Sequence, residues 1–455
     1  MAGYDEGVHG WVEGERPRVK LDVRGTLPDG LRGTFARNSS NPAFPPPGRF
    51  HWFDGDGMVH AVTIDADGAA YLNRYVRTRA FEREREAGHA LWGGILNPMA
   101  PKGEPPVKDT ANTHLVAYRD HLLATWWLSG QPLELDPIDL STRPAPPFFA
   151  ALGGRTVAAH PKVDPRTGEL LFFGFQMHKS PWYWVGIADR DGNLVRTQEI
   201  DTAGPRIPHD IGITPRYVVV LDLPLGWDPA ALAAGKRKIG FDRSAPARFG
   251  LWPRGGGAVR WFDVPPCYVY HLTSSYEDGD DVVVTGCRID DPIPDVPVDG
   301  VPRLDTIHLR PLATRWRLRW DGGVSVEDLD DVPSEFPRVN DATWGARARF
   351  AYHPRIDPRS EVLAFDGFRK LDHDGGPAAT CAYPPGWRGG EVVFAPRPGG
   401  VDEDDGWVLT MLAHPDAPHA ELWVVDARAV DQGPVAVLTV PHRVPLGFHA
   451  EWIAR

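Results

Sequence analysis

The stretch Ala158-Ala159-His160-Pro161-Lys162-Val163-Asp164-Pro165 places a histidine ahead of a short apolar pair and a turn, and the same arrangement returns further along the chain. After His160 come the turn Asp164-Pro165-Arg166-Thr167-Gly168 and the run Leu170-Leu171-Phe172-Phe173. His209, in Pro208-His209-Asp210-Ile211-Gly212, precedes Thr214-Pro215-Arg216 and Tyr217-Val218-Val219-Val220-Leu221. His271, in Tyr268-Val269-Tyr270-His271-Leu272, precedes Glu277-Asp278-Gly279-Asp280-Asp281 and Val282-Val283-Val284. Each time the histidine leads a short strand, a polar turn and a β-branched or aromatic strand.

A fourth histidine, His449, lies in Gly447-Phe448-His449-Ala450-Glu451. The spacings are 49 (209 − 160), 62 (271 − 209) and 178 (449 − 271), so these residues meet only if the fold brings separate units to a common axis. A period of roughly 40 to 65 residues per all-β unit is that of a four-stranded propeller blade, and three such periods roughly fill the last gap. Because the inner strand of every blade lines the central channel, one histidine per blade converges there. We therefore read residues 1–455 as one all-β propeller domain, with His160, His209, His271 and His449 as a single metal centre.

Composition agrees with such a body. Of the 455 residues, 42% are hydrophobic and 24% charged, as in an ordinary globular protein, and the 48 Gly and 46 Pro punctuate turns between short strands. Propellers run long as one unit because each blade packs on its neighbours. The net charge of −12 argues against a nucleic-acid partner. Only Cys267, Cys287 and Cys381 occur, with no CxxC, so a disulfide framework is not expected and a reducing cytoplasm is the simpler location. The opening residues lack a basic region followed by an apolar stretch, so neither a signal peptide nor a transmembrane span is expected.

Two segments, 81–99 and 227–239, suit a peripheral membrane contact. Phe81 to His89 is a charged, helix-compatible stretch running into Leu91-Trp92-Gly93-Gly94-Ile95-Leu96. Asp228 and Pro229 open a short helix through Leu232 that ends at Gly235, before Lys236-Arg237-Lys238. Apolar surface beside three cations fits anionic lipid. The plainer reading is a pair of solvated loops packed on the propeller face.

Arg37-Asn38-Ser39-Ser40-Asn41-Pro42, followed by His51-Trp52-Phe53-Asp54-Gly55-Asp56-Gly57-Met58-Val59-His60, resembles the N-terminal signature of the carotenoid cleavage oxygenases. Ala111-Asn112-Thr113, Ala159-His160-Pro161-Lys162, His209-Asp210, Glu335-Phe336-Pro337, Phe394-Ala395-Pro396-Arg397 and Phe448-His449 follow in that family's order, across almost the whole chain. The resemblance implies a seven-bladed β-propeller with a few short helices and loops capping the face over the metal centre. It also implies non-haem Fe(II) held by the four histidines, and cleavage of an apolar alkene, a carotenoid or apocarotenoid, by O2 into two carbonyl products. Four neutral imidazoles on an octahedral ion leave two positions open, whereas a closed tetrahedral zinc would leave none.

Ligating histidines usually hand their other N–H to a carboxylate, and the family's pattern has three glutamates for this. Glu335 and Glu391 match two of them. The third falls on Trp127, preceded by Trp126, and an indole accepts no imidazole N–H. In relatives that cleave stilbenes and phenylpropenes, a lysine tends to precede that glutamate and meet a phenolic oxygen, so the resemblance disfavours that chemistry here. Trp126, Trp127 and Phe53 are instead expected to wall an apolar substrate cavity, with Thr113 near an open iron position.

His114 also leads a strand-like run, yet the family carries no ligand there. His51, His60 and His353 read as structural, and Asp54 and Asp56 as turn residues rather than a calcium loop. No Gly-x-Ser-x-Gly, His-Glu-x-x-His, P-loop or Gly-x-Gly-x-x-Gly is present, which leaves the histidine centre as the catalytic framework. Three functional classes follow: the alkene-cleaving oxygenase, a metal-dependent isomerase or hydrolase, and a propeller scaffold without turnover.

Overall fold

The computed structural model describes residues 3–97, 99–228, 238–296 and 298–455. Among these residues, seven antiparallel sheets of three to five strands follow one another, with two further two-stranded ribbons and little helix. This is the fold of a seven-bladed β-propeller. The chain divides into two compact units, one of Met1–Pro146, Ala364–Phe368 and Ala379–Arg455, the other of Pro147–Leu363 and Arg369–Ala378.

In the first unit one sheet runs Arg16–Lys20, Gly68–Tyr75, Gly57–Asp65, Gly33–Ser40 and Ala450–Ala454 in spatial order. Its last strand pairs Arg37 with Ala450 and Gly33 with Ala454, so a segment just after His449 completes a sheet begun near residue 16. A second sheet likewise joins Asp22–Gly25 to Pro434–Val440, Ala420–Asp426, Gly406–Ala413 and Val393–Pro396. The faces of these two sheets share one core, in which Phe35, Val62 and Ile64 pack with Leu409, Leu422 and Leu438. Each such aliphatic or aromatic side chain contributes about 1.5–3 kcal/mol by leaving water.

In the second unit three four-stranded sheets succeed each other: Lys162–Val163 to Leu194–Ile200, Gly212–Ile213 to Arg260–Val264, and Tyr268–Asp278 to Val324–Asp328. The apolar runs 170–173, 217–221 and 282–284 are second strands, as their patterning predicts, and Leu170, Leu171, Phe172 and Phe173 are fully buried. Phe249 packs on Trp316 with ring centres 5.1 Å apart, joining the second and third of these sheets. The turn read at 277–281 is a tight hairpin: Asp278 pairs with Asp281, and Gly279 takes φ 64°, which glycine adopts without steric cost.

The helix expected from Phe81 spans Arg79–Ala87, two residues earlier than its apolar start suggests, because Thr78 caps it by accepting the Phe81 N–H. Its Phe81 packs on Tyr75 at 4.9 Å, and buried Glu84 accepts N–H groups from Leu91 and Trp92 and a bond from Lys108. Phe81 and Trp92 thus face inward. Strand Leu225–Trp227 pairs with Ile239–Phe241, and Asp228 N–H donates to the Lys238 carbonyl. The helix read from Asp228 through Leu232 to Gly235 lies, beyond its first residue, outside the described residues. Among the described residues no helix is long and apolar enough to cross a membrane. Cys267, Cys287 and Cys381 are buried thiols.

Candidate metal centre

Each of the three candidate ligands of the second unit, His160, His209 and His271, sits on or just before the first strand of its own sheet. His160 precedes Lys162–Val163, His209 precedes Gly212–Ile213, and His271 lies within Tyr268–Asp278 rather than ahead of it. The ladder to Asp281–Ile289 slips between Val269 and Leu272, a β-bulge that turns His271 out of the regular alternation. His160 is held at φ 65°, a left-handed conformation costing a non-glycine residue about 1–3 kcal/mol. Such cost persists where surrounding structure dictates the side chain's direction.

These placements bring three imidazoles together. Ring centres lie 5.0 Å apart for His160 and His209, 4.8 Å for His160 and His271, and 5.1 Å for His209 and His271. One ligand nitrogen of each falls within 4.8 Å of the others. Metal–nitrogen bonds of about 2.1 Å put neighbouring ligand nitrogens about 3 Å apart and opposed ones about 4.2 Å, so a small inward adjustment suffices.

The Glu335 carboxylate lies 2.5 Å from His271 Nδ1 and also accepts the Phe336 N–H at 2.6 Å. In the first unit, buried His449 and Glu391 repeat the device: Nδ1 stands 3.0 Å from Oε1, and Ala450 N–H donates to Oε2 at 2.5 Å. A carboxylate only accepts, so each ring carries its proton on Nδ1 and its lone pair on Nε2. That is the form a metal ligand needs. His114 begins strand His114–Tyr118 and stands edge-on to His449 at 5.3 Å.

Thr113 is buried beside these groups, its hydroxyl donating to Asn112 Oδ1 at 2.9 Å and accepting the Trp127 N–H at 3.2 Å. Its carbonyl accepts the His449 N–H. Trp127 packs on Phe53 at 4.9 Å, and Phe53 on Phe448 at 5.2 Å. Trp126 and Trp127 are both almost fully buried. The structure therefore places Phe53, Thr113 and Trp127 in one aromatic and hydroxyl cluster at the His449 end of the first unit.

The residues read as structural are accounted for by ordinary bonds. His51 Nδ1 accepts the Phe53 N–H, and His60 lies between Tyr71 OH at 2.8 Å and Ser39 Oγ at 3.0 Å. His353 meets Ser334 Oγ, and burial pushes its pKa down to about 3. Asp54 accepts N–H groups of His51 and Ile95, while Asp56 pairs with Lys108 at 2.9 Å.

Sequence reading passed over the neighbours of the ligands. Tyr270 meets the His209 ring edge-on at 4.9 Å, and Phe336, at φ 56°, meets His271 at 5.1 Å. Lys162 and Asp210 form a buried ion pair at 2.8 Å. The one signal for these four is adjacency, each lying within two residues of a histidine or a glutamate already singled out.

Along residues 9–454 the chain matches the family model described as retinal pigment epithelial membrane protein. It is 33% identical to carotenoid 9,10(9′,10′)-cleavage dioxygenase 1 of Pisum sativum, over 99% of this chain and 91% of that one. Among solved structures it resembles the lignostilbene dioxygenase of Pseudomonas brassicacearum, with a TM-score of 0.88 and 27% identity, covering 100% of this chain and 99% of that one. It also resembles the cobalt-substituted apocarotenoid oxygenase of Synechocystis, with a TM-score of 0.85 and 26% identity over 97% of each chain.

Proposed function

The chain belongs to the retinal pigment epithelial membrane protein and carotenoid cleavage oxygenase family, and on that premise we propose that it is an Fe(II)-dependent dioxygenase cleaving one C=C bond of a carotenoid or apocarotenoid. The overall change is an alkene plus O2 giving two carbonyl compounds. This reading assigns the four buried histidines, His160, His209, His271 and His449, to the ion as ligands. The observation that carries the reading is the repeated imidazole–carboxylate pair, His271 with Glu335 and His449 with Glu391, since it presets Nε2 for a metal in both units.

When bound, the ion supplies a coordination position at which O2 is activated beside the alkene. The chain's own residues do the rest. Glu335 and Glu391 hold the Nδ1 protons and fix ring direction. Phe53, Trp126 and Trp127 offer aromatic walls that take up an apolar polyene by burial and exclude water. Thr113 is anchored by Asn112 and the Trp127 amide, so its hydroxyl is directional rather than rotating. No carboxylate stands at position 127 in this chain, and the left-handed backbone of His160 helps to set the direction of that ring.

A second reading, cleavage of a stilbene or phenylpropene, is favoured by one observation, the 0.88 TM-score to a lignostilbene dioxygenase. Protein purified without oxygen, analysed for metal and then given 18O2 with an apocarotenal or a hydroxystilbene, separates the readings. Iron and labelled aldehydes from the apocarotenal support the first, and labelled aldehydes from the stilbene alone support the second. Iron without oxygen incorporation points to Lewis-acid isomerase or hydrolase chemistry, and protein that takes up no metal points to a scaffold.

A further inference from the structure

Asp210 directly follows His209, and its two carboxylate oxygens reach all three histidine-bearing segments of the second unit. Oδ1 lies 2.8 Å from Lys162 Nζ, two residues after His160. Oδ1 also accepts the Ile211 N–H at 2.7 Å, inside its own segment. Oδ2 accepts the Leu272 N–H at 2.8 Å, the amide directly after His271. Leu272 borders the bulge at His271. Asp210 is 1% exposed and Lys162 6% exposed, and Lys162 is held from a further direction by the Trp344 ring, 4.9 Å from its ammonium.

The geometry points to Asp210 as a positioning residue that locks the His160, His209 and His271 segments into one rigid frame, so that the spacing of the three imidazoles is set before the metal arrives. Only a carboxylate accepts from three donors in this way. An asparagine keeps one acceptor oxygen and turns an NH2 group toward either the ammonium or the Leu272 amide. Low dielectric makes each of these bonds strong when complete and leaves Lys162 unmatched when Asp210 is neutralised. Loosening this carboxylate frees three ligands at once, whereas loosening Glu335 disturbs His271 alone.

This inference rests on the metal-centre reading above, and the test keeps the two apart. Metal-free protein is titrated with Co(II), following the ligand-field absorption bands as well as the affinity. Asp210→Asn is expected to bind Co(II) about 10- to 100-fold more weakly and with altered band intensities, while far-ultraviolet circular dichroism stays that of the parent. Lys162→Met, which leaves Asp210 its two amide donors, is expected to show a smaller loss in the same direction, and it decides the matter if Asp210→Asn does not fold. Asp210→Asn and Lys162→Met proteins that match the parent in affinity within threefold and in spectrum, while His271→Ala binds no Co(II), overturn the positioning role and leave the metal centre standing. Parent protein that binds no Co(II) at all overturns the metal-centre reading and this inference with it.

Discussion

Replacing Glu335 by glutamine tests the imidazole–carboxylate pair with almost no change of shape. In the parent, one carboxylate oxygen takes both the His271 Nδ1 proton at 2.5 Å and the Phe336 N–H at 2.6 Å. Glutamine keeps an acceptor oxygen for these donors but loses the negative charge. Bonds to a charged group contribute about 1.5–3 kcal/mol against about 0.5–1.5 kcal/mol for neutral ones, so the substitution removes roughly 1–2 kcal/mol per bond. Part of the loss is felt only when the ring is a ligand, because the carboxylate raises imidazole basicity and holds its direction. A metal dissociation constant about 10- to 100-fold weaker is therefore expected. Competition of the metal-free protein with a chelator of known affinity reads this directly, and circular dichroism with thermal melting in EDTA checks that the fold is kept. Glu391→Gln should behave alike, since its carboxylate serves His449 and the Ala450 amide in the same way. Metal affinity within threefold of the parent in both variants refutes the reasoning.

In the proposed cavity Trp126 and Trp127, both buried, would give a substrate phenol no acceptor, which costs about 1–3 kcal/mol, so kcat/KM for an apocarotenal should exceed that for a 4-hydroxystilbene by roughly 5- to 150-fold; faster cleavage of the stilbene refutes this. Burial lowers the folded pKa of His9 and of His353 to about 3, below the unfolded value of 6.5, so the unfolded state takes up protons first and stability falls as pH drops below 6.5. At pH 5 each should remove about 2 kcal/mol, and urea unfolding at pH 7.5 and pH 5 that differs by under 1 kcal/mol in total contradicts it. Burial pushes the Asp109 carboxyl up to about 6 from 3.8, so its ionisation penalises the folded state increasingly as pH rises through that window. Asp109→Asn should accordingly gain stability relative to the parent between pH 4 and pH 7.5, by at most about 3 kcal/mol, and a pH-independent difference rules this out.

The parts of the fold that were legible in the sequence are those written in local pattern. Leu170-Leu171-Phe172-Phe173 and Tyr217-Val218-Val219-Val220 are strand-forming on their own, and Gly279 in an acidic turn marks a hairpin whatever surrounds it. The helix was readable as the stretch from Phe81 to His89, and its start at Arg79 was missed because the Thr78 cap was not read. What stayed hidden depends on residues distant in sequence. His271 reads as preceding a strand because its bulge exists only against the partner strand Asp281–Ile289. Asp210 reads as an ordinary acid after a histidine, since Lys162 and the Leu272 amide are 48 (210 − 162) and 62 (272 − 210) residues away. The left-handed backbone of His160 carries no sequence signal, as nothing but packing requires it.

The pairing of Ala450–Ala454 with Gly33–Ser40 has a consequence in time. Arg37 and its partner Ala450 are 413 positions apart (450 − 37), and synthesis at about 5–20 residues per second separates their emergence from the ribosome by roughly 20 to 80 s. Throughout that interval the edge of Gly33–Ser40, whose Phe35 and Ala36 end fully buried, is an open hydrogen-bonding ladder able to recruit other nascent chains. That edge thus stays unpaired for the whole of this interval, and His449 is born in the same few residues that end the exposure.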